Sequence, residues 1–392
     1  MDGGADARVR RLVCGVAVLA VLLGFAAADS PPTAALRQLQ HVLDRQSDAL
    51  LAGDERAYLA TFAPGAKNTP RLAFRNLTRL PLADWRLRLV DAAPSGRGGY
   101  TARAVLHQRL RGWDGGASRT AERLEFRRTA GGWALAGSAG SGIWTQGEVI
   151  QERGARSLVL GVGRPAAELR ELAAAADRAV AEAERYWPRG WQRRVVLEVP
   201  RGLDGMGRLL GSEPELLRGV AAVTTGGTRG AEDPPERIVV NPEEYGQLSE
   251  EGREFVVAHE TVHVAARDDT HPGTPMWLSE GLADWVAHRA AGTLPRAAAP
   301  ELARAVGEGR APHRLPTDAD FRFDAGAETL AHAYEGAWLA CRLLAERYGA
   351  ERLLAVHAAS RHGAGQALED QLGLSRAEFT AEWRAYVARV LG

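Results

Sequence analysis

Lysine is nearly absent from this chain of 392 residues, and cysteine is scarce: Lys67 is the one lysine, and Cys14 and Cys341 are the two cysteines. Cys14 falls in an apolar leader and Cys341 in the helical run AWLACRLLAERYG. A chain cleaved after the leader therefore has no pair from which to form an internal disulfide, and Cys341 is expected to be a small core residue. A chain of this length buries enough apolar surface to do without such a staple. An excess of either charge is missing too, since Lys plus Arg and Asp plus Glu number 49 each. That balance excludes a general binder of nucleic acid or of anionic membranes. The use of Arg in place of Lys, with abundant Ala and Gly, reads as the codon bias of a GC-rich bacterial genome. No internal repeat or low-complexity segment stands out. What remains, 45% hydrophobic and 25% charged residues, is ordinary globular composition with room for two domains.

The first thirty residues depart from this even character. Arg8, Arg10 and Arg11 precede LVCGVAVLAVLLGFAAA, uncharged from Leu12 to Ala28, and small residues at Ala26 and Ala28 precede Asp29. A basic flank, an apolar centre and an A-x-A end predict an export signal over residues 1–28, and hence an extracytoplasmic protein. The run is just short of a full bilayer span, so cleavage and retention as a membrane anchor through residues 12–28 both stay open.

From Thr33 to about Asp54, Leu36, Leu39, Val42, Leu43, Ala49 and Leu50 recur near helical spacing, with Gly53 as a C-cap. A short helix is expected from Arg56 to Phe62. WRLRLV, YTARAVLHQRL, RTAERLEFRR and WALAGSA then read as strands split by Gly-rich turns. Helices followed by antiparallel strands predict an α+β domain over residues 33–145. This order resembles the cone-shaped NTF2-like domain. The resemblance, with no catalytic constellation in the region, implies a binding or shielding role. Residues 150–392 open with the strand SLVLGVG, a helix from Ala166 to Tyr186, the strand VVLEVP, then LRGVAAVTTGG and RIVVNP. After Pro242 the pattern is almost wholly helical. The fold class expected for the whole is α+β.

The chemistry concentrates in EFVVAHETVHVAARDD. On a helix, His259 and His263 are four apart and point to one side, so both imidazoles can face one ion, with Glu260 beside them. Phe255, Val256 and Val262 are expected to face the core and stiffen that platform. Catalytic zinc takes three protein ligands and keeps one position for water. Downstream, MWLSEGLADWVAHRA has helical spacing and carries Glu280 and Asp284 at i and i+4. Glu280 can complete the coordination shell, and Asp284 can accept a hydrogen bond from the free ring nitrogen of a ligating His, fixing its tautomer. His271, Asp268 and Asp269 in the connecting loop are read as solvated, and Trp277, Trp285 and Trp338 as packing residues.

The pair of motifs resembles the gluzincin zinc metallopeptidases, in which H-E-x-x-H is followed by a second helix bearing a Glu in a W-L-x-E-G-x-A context. Trp277, Leu278, Glu280, Gly281 and Ala283 match that context. The resemblance implies a zincin-like metallopeptidase domain over residues 150–392, Zn2+ held by His259, His263 and Glu280, and Glu260 as general base. The aminopeptidase N group of that family also carries a G-x-M-E-N strand whose Glu grips a free amine. The corresponding strand here, AAVTT, has no acidic residue.

The expected function is hydrolysis of peptide bonds in a peptide or protein substrate. Zinc brings the pKa of its water to about 7, and Glu260 takes the proton and passes it to the departing amine. The helix ETLAHAYEGAWLACRLL offers His332 and Tyr334 for the oxyanion. Tyr334 lies fifty-four residues after Glu280, similar to the spacing of the catalytic Tyr in the aminopeptidase N group. A substrate peptide could pair with a sheet edge at AAVTT or RIVVN. The alternative is an exported zinc-containing binding protein with weak or no peptidase activity, in which the NTF2-like domain carries the binding role.

Overall fold

The computed structural model of the protein describes residues 33–392 apart from 67, 96–97, 138–139 and 227–234, so the leader expected over residues 1–28 lies outside the described residues. Helices and strands are mixed, in two sheets followed by a helical array. No described helix is long and apolar enough to cross a membrane.

The chain opens with α1 (Thr33–Leu51), α2 (Glu55–Ala60) and α3 (Asn68–Leu77), then the antiparallel strands β1 (Leu82–Ser95), β2 (Gly99–Leu110), β3 (Ser118–Thr129) and β4 (Gly132–Leu135), paired in that order. Helix α1 buries Leu39, Val42, Leu43 and Leu50 along one stripe and ends where Gly53 turns left-handed at φ +72°. Asp54 caps α2 by accepting from the Ala57 N–H. Alternation sets the face of the sheet: Ala102, Ala104 and Leu106 of β2 point inward beside Leu124 and Phe126 of β3.

The second sheet holds β5 (Val149–Arg153), β6 (Ser157–Val162), β7 (Val195–Val199), β8 (Ala222–Thr224) and β9 (Ile238–Val240) in the order β5-β6-β7-β9-β8. Its central pairs, β6 with β7 and β7 with β9, are parallel, and both outer pairs are antiparallel. Helix α4 (Ala166–Ala183) connects β6 to β7, and α5 (Leu203–Leu210) lies between β7 and β8. Every residue of β6 and β7 is buried, because both faces are covered. Val159, Val195, Leu197 and Val199 meet the helices on one side. Leu158, Leu160, Val162 and Val196 join the core of the first sheet on the other. The two sheets thus share one apolar layer.

A buried ion pair sits at the same junction. Arg237, just before β9, donates to Asp114 of the β2–β3 turn at 2.7 and 3.1 Å and lies 3.7 Å from Glu198 of β7. Burial pushes the Glu198 carboxyl above its usual range, Arg237 pulls against that shift, and Asp114 adds to it.

After β9 come α6 (Pro242–Gly246), α7 (Glu250–Ala265), α8 (Met276–Ala291), α9 (Pro295–Ala298), α10 (Pro300–Gly307), α11 (Ala327–Tyr348), α12 (Ala350–Ala359), α13 (Ala364–Leu372) and α14 (Arg376–Leu391). Helix α7 is the hinge piece between two cores. Val256, Val257 and Val264 pack with the sheet and α4, whereas Val262 and Ala265 pack with α8 and α11.

Candidate metal centre

Local sequence places the two helices that carry the candidate ligands. Ser249 starts α7 by accepting from the Gly252 N–H, leaving a regular helix through the whole H-E-x-x-H run. Helix α8 starts after Pro275, and its first N–H, on Met276, is satisfied from a distance by Asp318 Oδ1 at 2.9 Å. Gly292, left-handed at φ +64°, stops it.

Between those ends α8 is pressed against α11. A Cβ on Gly281 would lie 2.3 Å from the Ala337 carbonyl oxygen and 2.9 Å from Cys341 Sγ. Only glycine permits that approach, and it stands next to Glu280. The Gly of the W-L-x-E-G-x-A run is therefore a packing requirement that holds the third acidic group in place. Gly281→Ala is expected to lower thermal stability by about 1–3 kcal/mol and to displace Glu280 from the cluster. Scanning calorimetry with and without zinc checks this; an unchanged melting temperature would mean the helices yield freely.

The resulting cluster is compact and dry. His259 is 1% exposed, Glu260 and Glu280 0%, and His263 7%. The two Nε2 atoms face each other at 3.0 Å. Glu280 Oε2 lies 3.3 Å from Nε2 of His259, and its Oε1 lies 3.6 Å from Nε2 of His263. Neither Glu280 oxygen makes a hydrogen bond. Full burial alone would raise the pKa of this carboxyl, yet the facing imidazoles, His263 foremost, hold it down to about 2 while they carry protons toward it. Asp284, one turn beyond Glu280, lies 2.8 Å from His259 Nδ1. A carboxylate there requires the proton on Nδ1, which leaves Nε2 with its lone pair toward Glu280.

These separations have a common explanation. Ligands bound at about 2.0–2.1 Å around a tetrahedral ion stand about 3.3 Å apart, and the three distances here, 3.0, 3.3 and 3.6 Å, scatter around that edge. Two imidazoles and a carboxylate are also the borderline donors that suit zinc. Among the described residues, this is the cluster of three His, Cys, Asp or Glu side chains that could hold a metal ion.

Glu260 differs from the other three. Its Oε2 accepts from Thr224 Oγ1 at 2.5 Å, and its Oε1 is buried with no hydrogen-bond partner. Thr224 ends β8, an edge strand, and is 3% exposed. Sequence reasoning placed AAVTT near the site as a strand but gave its threonine no role. Nothing in local spacing marks it, since the partners are 36 residues apart.

Tyr334 is 6% exposed within the apolar core of the helical array, edge-on to Phe321 at 5.0 Å. His332 is half-buried, and its Nε2 makes no hydrogen bond. Trp277, Trp285 and Trp338 are core residues, as is Cys341. Val256 and Val262 face the core, whereas Phe255 is half-buried with its ring 4.5 Å from that of His288. In the connecting loop, Asp269 accepts from the Trp187 indole at 3.2 Å. A further imidazole approaches from α12: His357 is 1% exposed, and burial, then the charges of His263 and His271, depress its pKa to about 3, so it is neutral near pH 7. Comparison of the chain with protein-family models and with curated proteins finds no match.

Proposed function

We propose that this protein is an exported zinc metallopeptidase of the gluzincin kind, its metal unit in residues 150–392 and an NTF2-like unit before it. The observation that carries the reading is the spacing of His259, His263 and Glu280 at tetrahedral edges, with a carboxylate behind His259. A zinc ion held by these three side chains would acidify a water and polarise a substrate carbonyl. Glu260 Oε1, which has no partner in the protein, would receive the proton of the attacking water and deliver it to the leaving amine. Asp284 keeps His259 in the tautomer that presents a lone pair. Tyr334 is the proposed donor to the oxyanion. Of the two strands suggested for substrate pairing, β9 is flanked on both sides by strands, and β8 is the edge. A peptide would therefore lie along β8. Residues 1–28 support action outside the cytoplasm.

A second reading rests on the burial of all four side chains, at most 7% exposed, which is the habit of a structural ion site in a binding protein. The unpartnered Oε1 of Glu260 weighs against it, since a structural ion has no use for a buried free carboxylate oxygen, which is costly to keep. Glu260→Gln separates the two. Zinc content is expected to stay equal to wild type, while cleavage of a peptide library falls by about 10²–10⁴-fold. If both proteins hold zinc and neither cleaves any peptide, the binding reading replaces the peptidase.

A further inference from the structure

We infer that Thr224 is the positioning residue of Glu260, clamping one carboxylate oxygen so that the other is the working oxygen; this rests on the reading of Glu260 as general base. A Glu side chain on a helix has free torsions, and a base serves only when one lone pair is held at the reacting proton. Glu260 meets that need asymmetrically: Oε2 takes the Thr224 hydroxyl at 2.5 Å, whereas Oε1 has no partner and is fully buried. A hydrogen bond to an ionised carboxylate is among the strong ones, and it leaves a single oxygen for chemistry.

The hydroxyl has a second acceptor ready. The backbone carbonyl of Glu260 lies 3.1 Å from the same Oγ1. Threonine suits the place because a β-branched side chain in a strand has few rotamers. The strand itself is anchored to the helix of the base. Arg267, just past α7, donates to the carbonyls of Thr225 at 2.8 Å and Gly226 at 2.5 Å. Strand β8 and helix α7 are thus tied a second time just beyond the clamp.

The test uses acetohydroxamate, a small zinc chelator whose binding also needs a nearby carboxylate to accept its proton, titrated into the zinc-loaded protein by calorimetry. Thr224→Val is expected to weaken binding about 10-fold with zinc content unchanged, Thr224→Ser to restore it to within about 3-fold, and Thr224→Ala to match Val. In a Glu260→Gln background, Thr224→Val is expected to add no further loss, because the threonine acts through the carboxylate. Equal losses in both backgrounds, or Val and Ala variants that bind as wild type, would overturn the assignment. Should Val lose its fold, the Ala and Ser pair decides by the same comparison. The readout needs no cleavage: a wild type that cuts no peptide but shows the coupling ends the peptidase reading and leaves the clamp standing.

Discussion

On the proposed reading, Glu280→Ala is expected to yield a protein that emerges from dialysis without zinc and cleaves nothing above background. Loss of an outer partner such as Asp284 typically weakens metal binding about 10–100-fold, and loss of a direct ligand exceeds that. The site has no substitute to offer, because among the described residues the three-ligand cluster consists of His259, His263 and Glu280. Two imidazoles alone, their Nε2 atoms 3.0 Å apart, would leave a divalent ion one coordinating carboxylate short in a buried pocket, an expensive arrangement. Metal analysis after dialysis and competition with a coloured chelator measure the effect. Asp284→Asn is the graded control, keeping the ring in place while weakening its hold. An alanine variant that retained a full equivalent of zinc would remove Glu280 from the site.

Residues 149–392 expressed alone are expected not to fold. The metal site lies wholly within that fragment, but the back of its sheet does not. Leu158, Leu160, Val162 and Val196 are buried in the core that begins at α1. Exposing four such side chains forfeits about 6–12 kcal/mol at 1.5–3 kcal/mol each, which matches the roughly 5–15 kcal/mol that holds a whole domain together. Arg237 and Glu198 would also lose Asp114. Near-UV circular dichroism and thermal melts of the fragment decide the matter. A cooperative melt from a soluble, zinc-binding fragment would show that the first sheet is an appendage.

Much of this architecture was legible in the sequence where periodicity carries it. The spacing of His259, Glu260 and His263, and of Glu280 and Asp284, converts directly into facing side chains once both runs are helical. What escaped notice has local causes. Helix α3, NTPRLAFRNL, contains Pro70, which reads as a breaker, yet it sits in the first turn where its missing N–H has no helical partner to lose. Helix α5 carries Gly205 and Gly207, residues that suggest a loop. Contact demands the second, where a Cβ would meet the Ser212 carbonyl oxygen at 2.7 Å, while a Cβ on Gly205 would displace the Gln146 side chain, whose Oε1 stands 2.3 Å away. Strand β5, VIQER, has no strong strand pattern of its own, and its strand character comes from pairing with β6. Asp114 and Arg237 are 123 residues apart, and no pattern in one dimension joins them or Thr224 with Glu260.

The division of α7 between two cores bears on how the molecule stays in one piece. His259 and His263 belong to the helix seated on the sheet, and Glu280 to the helix bedded among α11 and its neighbours. A cation caught between them is a rivet through two plates, and its grip is set by free-ion concentration through mass action. Scarcity of the ion would then loosen the seam along α7 and α8 before either plate gives way.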